Sequence, residues 1–356
     1  MVTASTIHDS PSGIAPPARA SPRCGRLRGG LGARGRSVQF GIHIIVNHLT
    51  LSPAEVARAV EERGFDSLFL GEHTHIPVQR DSAYIGLDDG SPPQPSEGPD
   101  ELRKRRPDLR ANFWYLYDPF IALAAAATVT ERIRLGTAIC LIPERDPITL
   151  AQEIATLDQI SGGRVIIGIG SGWNREEMAN HGVAWKDRHR VTRERVEAMK
   201  ALWTDEEAEY HGETVDFDPV WCYPKPVQEG GPPILMGQNS PRTFERIVRY
   251  CDGWIPYRIP IGDPEILPAI AELRSEWADA GRDPEALHVA MNGPAIPPTG
   301  DDPAEADPAV VEAAAAEVER LREGGVDRLL FNLGSPKRDL GYPTLDRYAG
   351  FLERIS

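Results

Sequence analysis

The residues best suited to chemistry stand in a few short runs of polar and small side chains. Glu72-His73-Thr74-His75 puts an imidazole directly after a carboxylate. His73 is a candidate acid, base or hydrogen-bond donor because imidazole titrates near neutrality. Glu72 is placed either to orient it or to bond the edge of a bound ring. The run Gly168-Ile169-Gly170-Ser171-Gly172-Trp173 alternates glycine, so its bare positions share one face of a strand. A flat cofactor approaching the backbone and a tight layer of small core residues both account for that face. It is not a dinucleotide fingerprint, since Trp173 stands where GxGxxG needs its last glycine. Gly237-Gln238-Asn239-Ser240-Pro241 is a polar turn leading into a helix at about 241–250. Such a turn can cup a phosphate with backbone amides and the Ser240 hydroxyl; an ordinary capped helix start has the same composition. Asp187-Arg188-His189-Arg190 opens a helical run ending near Trp203. Arg188 is a candidate contact for an anionic cofactor, against the alternative of a solvated face shared with Glu194 and Glu197.

These runs need a scaffold, and the sequence from Val38 onward supplies one. Apolar β-rich stretches begin near Phe40, Ser67, Ile133, Val165, Pro233, Gly253, Leu287 and Asp327. They are apolar on both faces, as buried parallel strands are. Between them a repeated device marks helix starts: Ser52-Pro53, Asp118-Pro119, Asp146-Pro147, Ser240-Pro241, Asp263-Pro264 and Asp307-Pro308. Ser or Asp supplies the capping oxygen, and Pro at the first helical position has no amide to satisfy. The alternation predicts a (β/α)8 TIM barrel with insertions after strands 2 and 4, about 73–117 and 174–231; a doubly wound sheet is the competitor. In a barrel the chemistry sits at the C-terminal strand ends, which is where the polar runs stand. The late position of the 237–241 turn favours the phosphate reading there. His73 and His75 form His-x-His, but a metal-dependent barrel would need further His, Lys or Asp ligands at later strand ends. Ser171, Gly237, Tyr257 and Asn332 occupy those places, so no metal is expected. His43 is read as a hydrogen-bonded core histidine, and Phe113, Trp114, Tyr115 and Tyr117 as the first insertion's own small core.

The 356 residues carry 39 basic and 53 acidic side chains, a net charge of −14. A net acidic body disfavours nucleic acid and anionic membranes as partners. No apolar run approaches a membrane span. Cys24, Cys140, Cys222 and Cys251 form no close pair, which points to a reducing, cytoplasmic setting. Residues 1–37 hold six arginines and one acid among Pro, Ser, Gly and Ala. They are expected to be a disordered tail preceding a barrel domain at 38–356, and an over-extended start is preferred to a transit peptide.

Four stretches together resemble the bacterial luciferase-like monooxygenases: DPITLAQEIATLDQISGGRVIIGIGSGW at 146–173, EHTHIP at 72–77, IRLGTAICLIPERDP at 133–147, and MGQNSP followed by CDGW at 251–254. The nearest branch is that of the coenzyme F420-dependent oxidoreductases, and the resemblance spans roughly residues 38–332. It implies a barrel that binds a deazaflavin or FMN at its C-terminal mouth, with hydride transfer at the ring, and a homodimer. It places a non-proline cis peptide at Ala138-Ile139 behind the ring, the acid-His pair at Glu72 and His73, ring contacts along Gly170, Ser171 and Gly172, and the phosphate turn at Gly237, Gln238, Asn239 and Ser240. Sugar-phosphate dehydrogenases of the family carry a Glu after the fourth-strand glycines. This chain has Trp173 there, which argues against that substrate class. The expected function is hydride transfer between coenzyme F420 and a small organic substrate. An FMNH2-dependent monooxygenase using O2 and a non-catalytic flavin-binding protein remain the alternatives.

Overall fold

The computed structural model describes residues 38–78, 82, 115–256, 262–300 and 302–355. The segment 1–37, Phe113, Trp114, Tyr257 and Arg258 lie outside the described residues. All eight expected strands are present: β1 (Gln39–Ile44), β2 (Ser67–Leu70), β3 (Arg134–Leu141), β4 (Val165–Gly170), β7 (Ile234–Met236), β8 (Gly253–Trp254), β9 (His288–Asn292) and β10 (Arg328–Gly334). They pair in parallel in chain order, and β10 closes onto β1, so the sheet is a closed (β/α)8 barrel. Two further strands, β5 (Ala208–His211) and β6 (Asp216–Val220), form an antiparallel hairpin inside the second insertion. Their side chains are mostly exposed or half-buried, so they carry none of the continuous apolar signal that marks the barrel strands.

The core has two layers. Inside the barrel Phe69, Ile166, Leu235, Ile255, Ala290 and Leu330 pack together, with Ala138 and Ile139 above them. Outside it, residues such as Ile42, Leu68, Leu135 and Ile167 face the helices.

Four of the six predicted caps form as expected. α1 (Pro53–Glu62) has a full capping box between Ser52 and Glu55. Asp118, Asp146 and Asp307 cap α2 (Pro119–Ala127), α3 (Pro147–Ser161) and α8 (Pro308–Glu323). The second insertion carries α4 (Arg175–Asn180) and α5 (Arg188–Thr204) ahead of the hairpin. The other two caps are corrected: α6 spans Thr243–Tyr250 and α7 spans Ile266–Asp279, each beginning two residues beyond its Pro. For α6 the reason is local. The Thr243 hydroxyl accepts the Ser240 amide at 2.8 Å and bonds the Ser240 hydroxyl at 3.0 Å, which turns Ser240 away from capping. α9 (Arg338–Ile355) packs beside α1 and completes the ring.

Among the described residues no helix is long and apolar enough to cross a membrane.

Candidate active site

Glu72 and His73 leave the end of β2 in different directions. Glu72 is buried and accepts the Leu141 amide at 2.6 Å and the Arg145 Nε at 2.5 Å, and Arg145 Nη2 closes the pair. Arg145 reaches on to Asp118 at 2.6 Å and lies over the Phe120 ring, 4.8 Å from its centroid. Glu72 therefore ties the end of β2 to the end of β3 and to the start of α2. A carboxylate so engaged is a positioning group, not one waiting for substrate.

His73 has its own partners. Its Nδ1 is 2.8 Å from the Glu177 carboxylate, and its Nε2 accepts the Trp173 indole N–H at 3.3 Å. The ring meets the indole edge-on, with centroids 5.5 Å apart. A carboxylate at Nδ1 and an N–H donor at Nε2 fix the tautomer: the proton sits on Nδ1 and the lone pair on Nε2. Glu177 is fully buried, and its other oxygen accepts the Thr74 amide at 3.1 Å. Glu144 lies against it. Burial and the neighbouring Glu177 push the Glu144 carboxyl up to about 9, so near neutrality Glu144 carries a proton.

His75 and His181 complete this edge. His75 bonds Asn180 at 2.8 Å, and the Thr74 hydroxyl bonds His181 at 2.8 Å. Among the described residues no three His, Cys, Asp or Glu side chains come together as a metal-ligand set.

The Ala138-Ile139 peptide is cis, and the β3–β4 register shifts between Thr137 and Cys140. Two glycines make room for the side chain that follows. A Cβ on Gly170 would clash with Ile139 Cδ1, and one on Gly237 would come within 2.6 Å of Ile139 Cγ2. Gly168 instead makes room for the Thr137 carbonyl. The alternating glycines thus serve close packing, and at Gly170 the thing packed is the isoleucine at the centre of the mouth. Gly172 has φ +75° and lies against Met178. Beneath them His43 points into the barrel as expected. Its Nε2 is buried without a hydrogen bond, and burial pushes the imidazole down to about 4, so it is neutral. The imidazole is bonded to the Ala138 backbone and the Asn332 side chain, as expected of a core histidine, with Nε2 the one atom left over.

The phosphate turn is built differently from a simple amide cup. The Gly237 amide is spent on the Ile169 carbonyl at 2.7 Å, and the Ser240 amide on Thr243. What the turn presents is a guanidinium. Arg246 donates to Ser240 Oγ at 2.9 Å and to Gln238 Oε1 at 3.3 Å. Asn239 sits between them in the turn, engaged in interactions of its own. Across from it, Ser171 is buried and bonds Thr192 at 2.9 Å and His189 at 3.2 Å, which anchors the first turn of α5 at the end of β4. Arg188 stacks on Trp185, 3.7 Å from its centroid. Burial and the neighbouring Arg246 and Arg188 push His189 down to about 4. Burial, Arg246 and Arg175 push Arg188 down in turn. Burial weighs most in both shifts and the neighbouring cations add to it, so this strand end carries positive charge without a carboxylate on Arg188 or Arg246.

These positions match a family. The model of the luciferase-like monooxygenases matches residues 52–328. The chain belongs to that family. An uncharacterized protein of Mycobacterium tuberculosis is 38% identical over 321 residues, 90% of this chain and 98% of that protein. A phthiodiolone/phenolphthiodiolone dimycocerosates ketoreductase of the same organism is 29% identical over 268 residues, 71% of this chain and 64% of its own. Among solved structures, an F420-dependent secondary alcohol dehydrogenase in complex with an F420-acetone adduct superimposes with a TM-score of 0.63 at 20% identity, covering 90% of this chain and 99% of that one. Members of this luciferase-like family are oxidoreductases and monooxygenases, and a deazaflavin or flavin cofactor accords with the site.

The sequence reading passed over Glu177, Glu144 and Arg246. Glu177 lies 104 residues from His73 on a six-residue helix, with nothing local to link them. Arg246 had a readable signal. Arg242, Arg246 and Arg249 repeat at i, i+4 and i+7, one face of a helix.

Proposed function

We propose that this protein is a coenzyme F420-dependent oxidoreductase that interconverts a secondary alcohol and a ketone. The observation that carries the proposal is His73 held between Glu177 and Trp173 at the rim of a mouth otherwise shaped for a flat ring and an anion. The residues fit such a cofactor. Ile139, backed by Gly170 and Gly237, offers an apolar support for a ring. Arg246, Arg188, Ser240 and Gln238 would hold its phosphate. When bound, a deazaflavin gives or accepts hydride and reacts poorly with oxygen.

The chain's own residues would handle the proton. Hydride leaving an alcohol carbon must be matched by loss of the hydroxyl proton, and His73 Nε2 is the base that can take it. Glu177 stabilises the imidazolium through Nδ1, as a buried carboxylate orients a catalytic histidine. The Trp173 N–H, at the long end of hydrogen-bond range, is the partner a substrate oxygen would replace. In the reverse direction the imidazolium returns the proton to the carbonyl oxygen. Glu72 acts indirectly, by fixing the ends of β2 and β3.

The identity of two relatives supports the substrate class: one is named a ketoreductase and another a secondary alcohol dehydrogenase. The family's description as monooxygenases favours the second reading, oxygen activation with reduced FMN. Titration with F420 and FMN, then turnover of a panel of secondary alcohols with oxidised F420, tests the proposal. Bleaching of the deazaflavin absorbance without oxygen is expected. Tight FMN binding with oxygen consumption and no F420 reduction would replace it with the second reading.

A further inference from the structure

Behind His73 stands a carboxyl that the proton transfer above does not use. Glu144, in the turn that follows β3, is buried and hydrogen-bonds Glu177 on α4. Its Oε2 accepts the Thr74 hydroxyl at 3.5 Å. Met178 and Leu141 gather with it about Gly172, so apolar side chains flank the pair of carboxyls. The ionisable groups facing Glu144 are Glu177, Glu72 and, through the Thr74 hydroxyl, His75 and His181. Arg145 is spent on Glu72, Asp118 and Glu153, and Arg195 of α5 on the Ile142 and Arg145 carbonyls. Among the described residues no Lys or Arg bonds either Glu144 or Glu177.

Glu177 is therefore held by hydrogen bonds alone, and they can be counted. A carboxylate offers about four lone-pair sites. His73 Nδ1 takes one at 2.8 Å, the Thr74 amide another at 3.1 Å, and the His75 amide a third, long one at 3.5 Å. Glu144 is the remaining partner, and it can donate only while it keeps its proton. Burial and the neighbouring Glu177 keep that proton in place up to about pH 9. Without it, two buried carboxylates would face each other, and repulsion would pull Glu177 from the imidazole.

We propose that Glu144 is a positioning residue for proton transfer: as a neutral acid it donates to Glu177 and holds that carboxylate on His73 Nδ1. This rests on the alcohol–ketone reading above and deepens it. Glu144 keeps its proton through the reaction. The substrate hydroxyl proton passes to His73 Nε2, the hydride passes to the cofactor, and the Nδ1 proton stays shared with Glu177. An amide at residue 144 would make the same bond without ever ionising, so the acid makes the His73–Glu177 pair sensitive to alkaline pH.

The test compares Glu144→Gln, which still donates but cannot ionise, with Glu144→Leu, which does neither. Losing a donor to a buried carboxylate is expected to lower turnover about tenfold in Glu144→Leu at pH 7, with the cofactor Kd within about twofold of the parent. Glu144→Gln should recover turnover to within about threefold. The parent should lose activity as pH rises through about 9, and Glu144→Gln should not. NMR of the cofactor-free protein reads the same event without turnover. The His73 imidazole signals should shift around pH 9 in the parent and stay still there in Glu144→Gln. Identical His73 signals in parent and Glu144→Gln across that range overturn the proposal, as does equal impairment of the two variants with an unaltered pH profile. A parent that reduces no F420 with any alcohol overturns the reaction proposed above, while the NMR comparison still decides the role of Glu144. Should Glu144→Leu fail to fold, the parent and Glu144→Gln suffice for both readouts.

Discussion

Around the ends of β2 and β3, Glu72, Asp118 and Glu153 gather on Arg145, with Glu144 and Glu177 packed against each other nearby. Across the mouth, where β4 and β7 end, Arg188, Arg242 and Arg246 stand without a carboxylate partner among the described residues. On the acidic side Arg145 is shared by Glu72, Asp118 and Glu153, and a proton neutralises Glu144. On the basic side Arg190, Arg193 and Arg249 have carboxylate partners, while Arg188, Arg242 and Arg246 do not. The difference divides the labour. On the function proposed above, the acidic side fixes geometry and moves a proton, and the basic side binds.

The sharpest way to break that division is His73→Gln. Glutamine keeps a hydrogen-bonding side chain but cannot carry a proton near pH 7. Turnover should fall by about 10²–10⁴, with cofactor Kd within about threefold of the parent. Steady-state kinetics beside a binding titration would check it. Parent-like turnover would make His73 structural and pass the proton to His48 or water.

Next in size is Glu72→Ala. It strands Arg145 in a buried setting with only Asp118 and the more distant Glu153, and leaves the Leu141 amide unpaired. Removing one partner of a buried pair costs about 3 kcal/mol, several degrees of melting temperature in a domain of this size. A urea midpoint unchanged from the parent would show that Arg145 is satisfied elsewhere.

That these groups divide so cleanly was only half legible beforehand. The eight barrel strands are readable because each is apolar on both faces, and Asp118, Asp146 and Asp307 cap helices through purely local chemistry. Ser240-Pro241 has the same signal and fails, because Thr243 and Arg246 take the serine hydroxyl. The hairpin of β5 and β6 escapes notice because water, not apolar burial, faces most of its side chains. His73 is visible from its place at a strand end. Its carboxylate is not, since Glu177 comes from a different insertion, and Glu72, the acid adjacent in sequence, turns to Arg145 instead. Contacts that close over a hundred residues leave no trace in local pattern.

A smaller effect tests the proton on Glu144. Its folded pKa of about 9 lies above its ordinary 4.5, so the folded state binds the extra proton between those values. Stability from this group is therefore full below about pH 4.5 and is lost as pH rises toward 9. Glu144→Gln should flatten that decline in a series of melting temperatures across the range. An identical slope in parent and variant would place the proton elsewhere.

The central claim, that one side binds while the other does chemistry, is tested most directly by titrating coenzyme F420 into Arg246→Glu and His73→Gln side by side. Reversing the charge at the turn removes a charge-assisted contact and adds repulsion, so Arg246→Glu should weaken binding by at least about thirtyfold. His73→Gln should bind as the parent does. Equal affinities in the two variants would contradict the account, and a larger loss in His73→Gln than in Arg246→Glu would invert it.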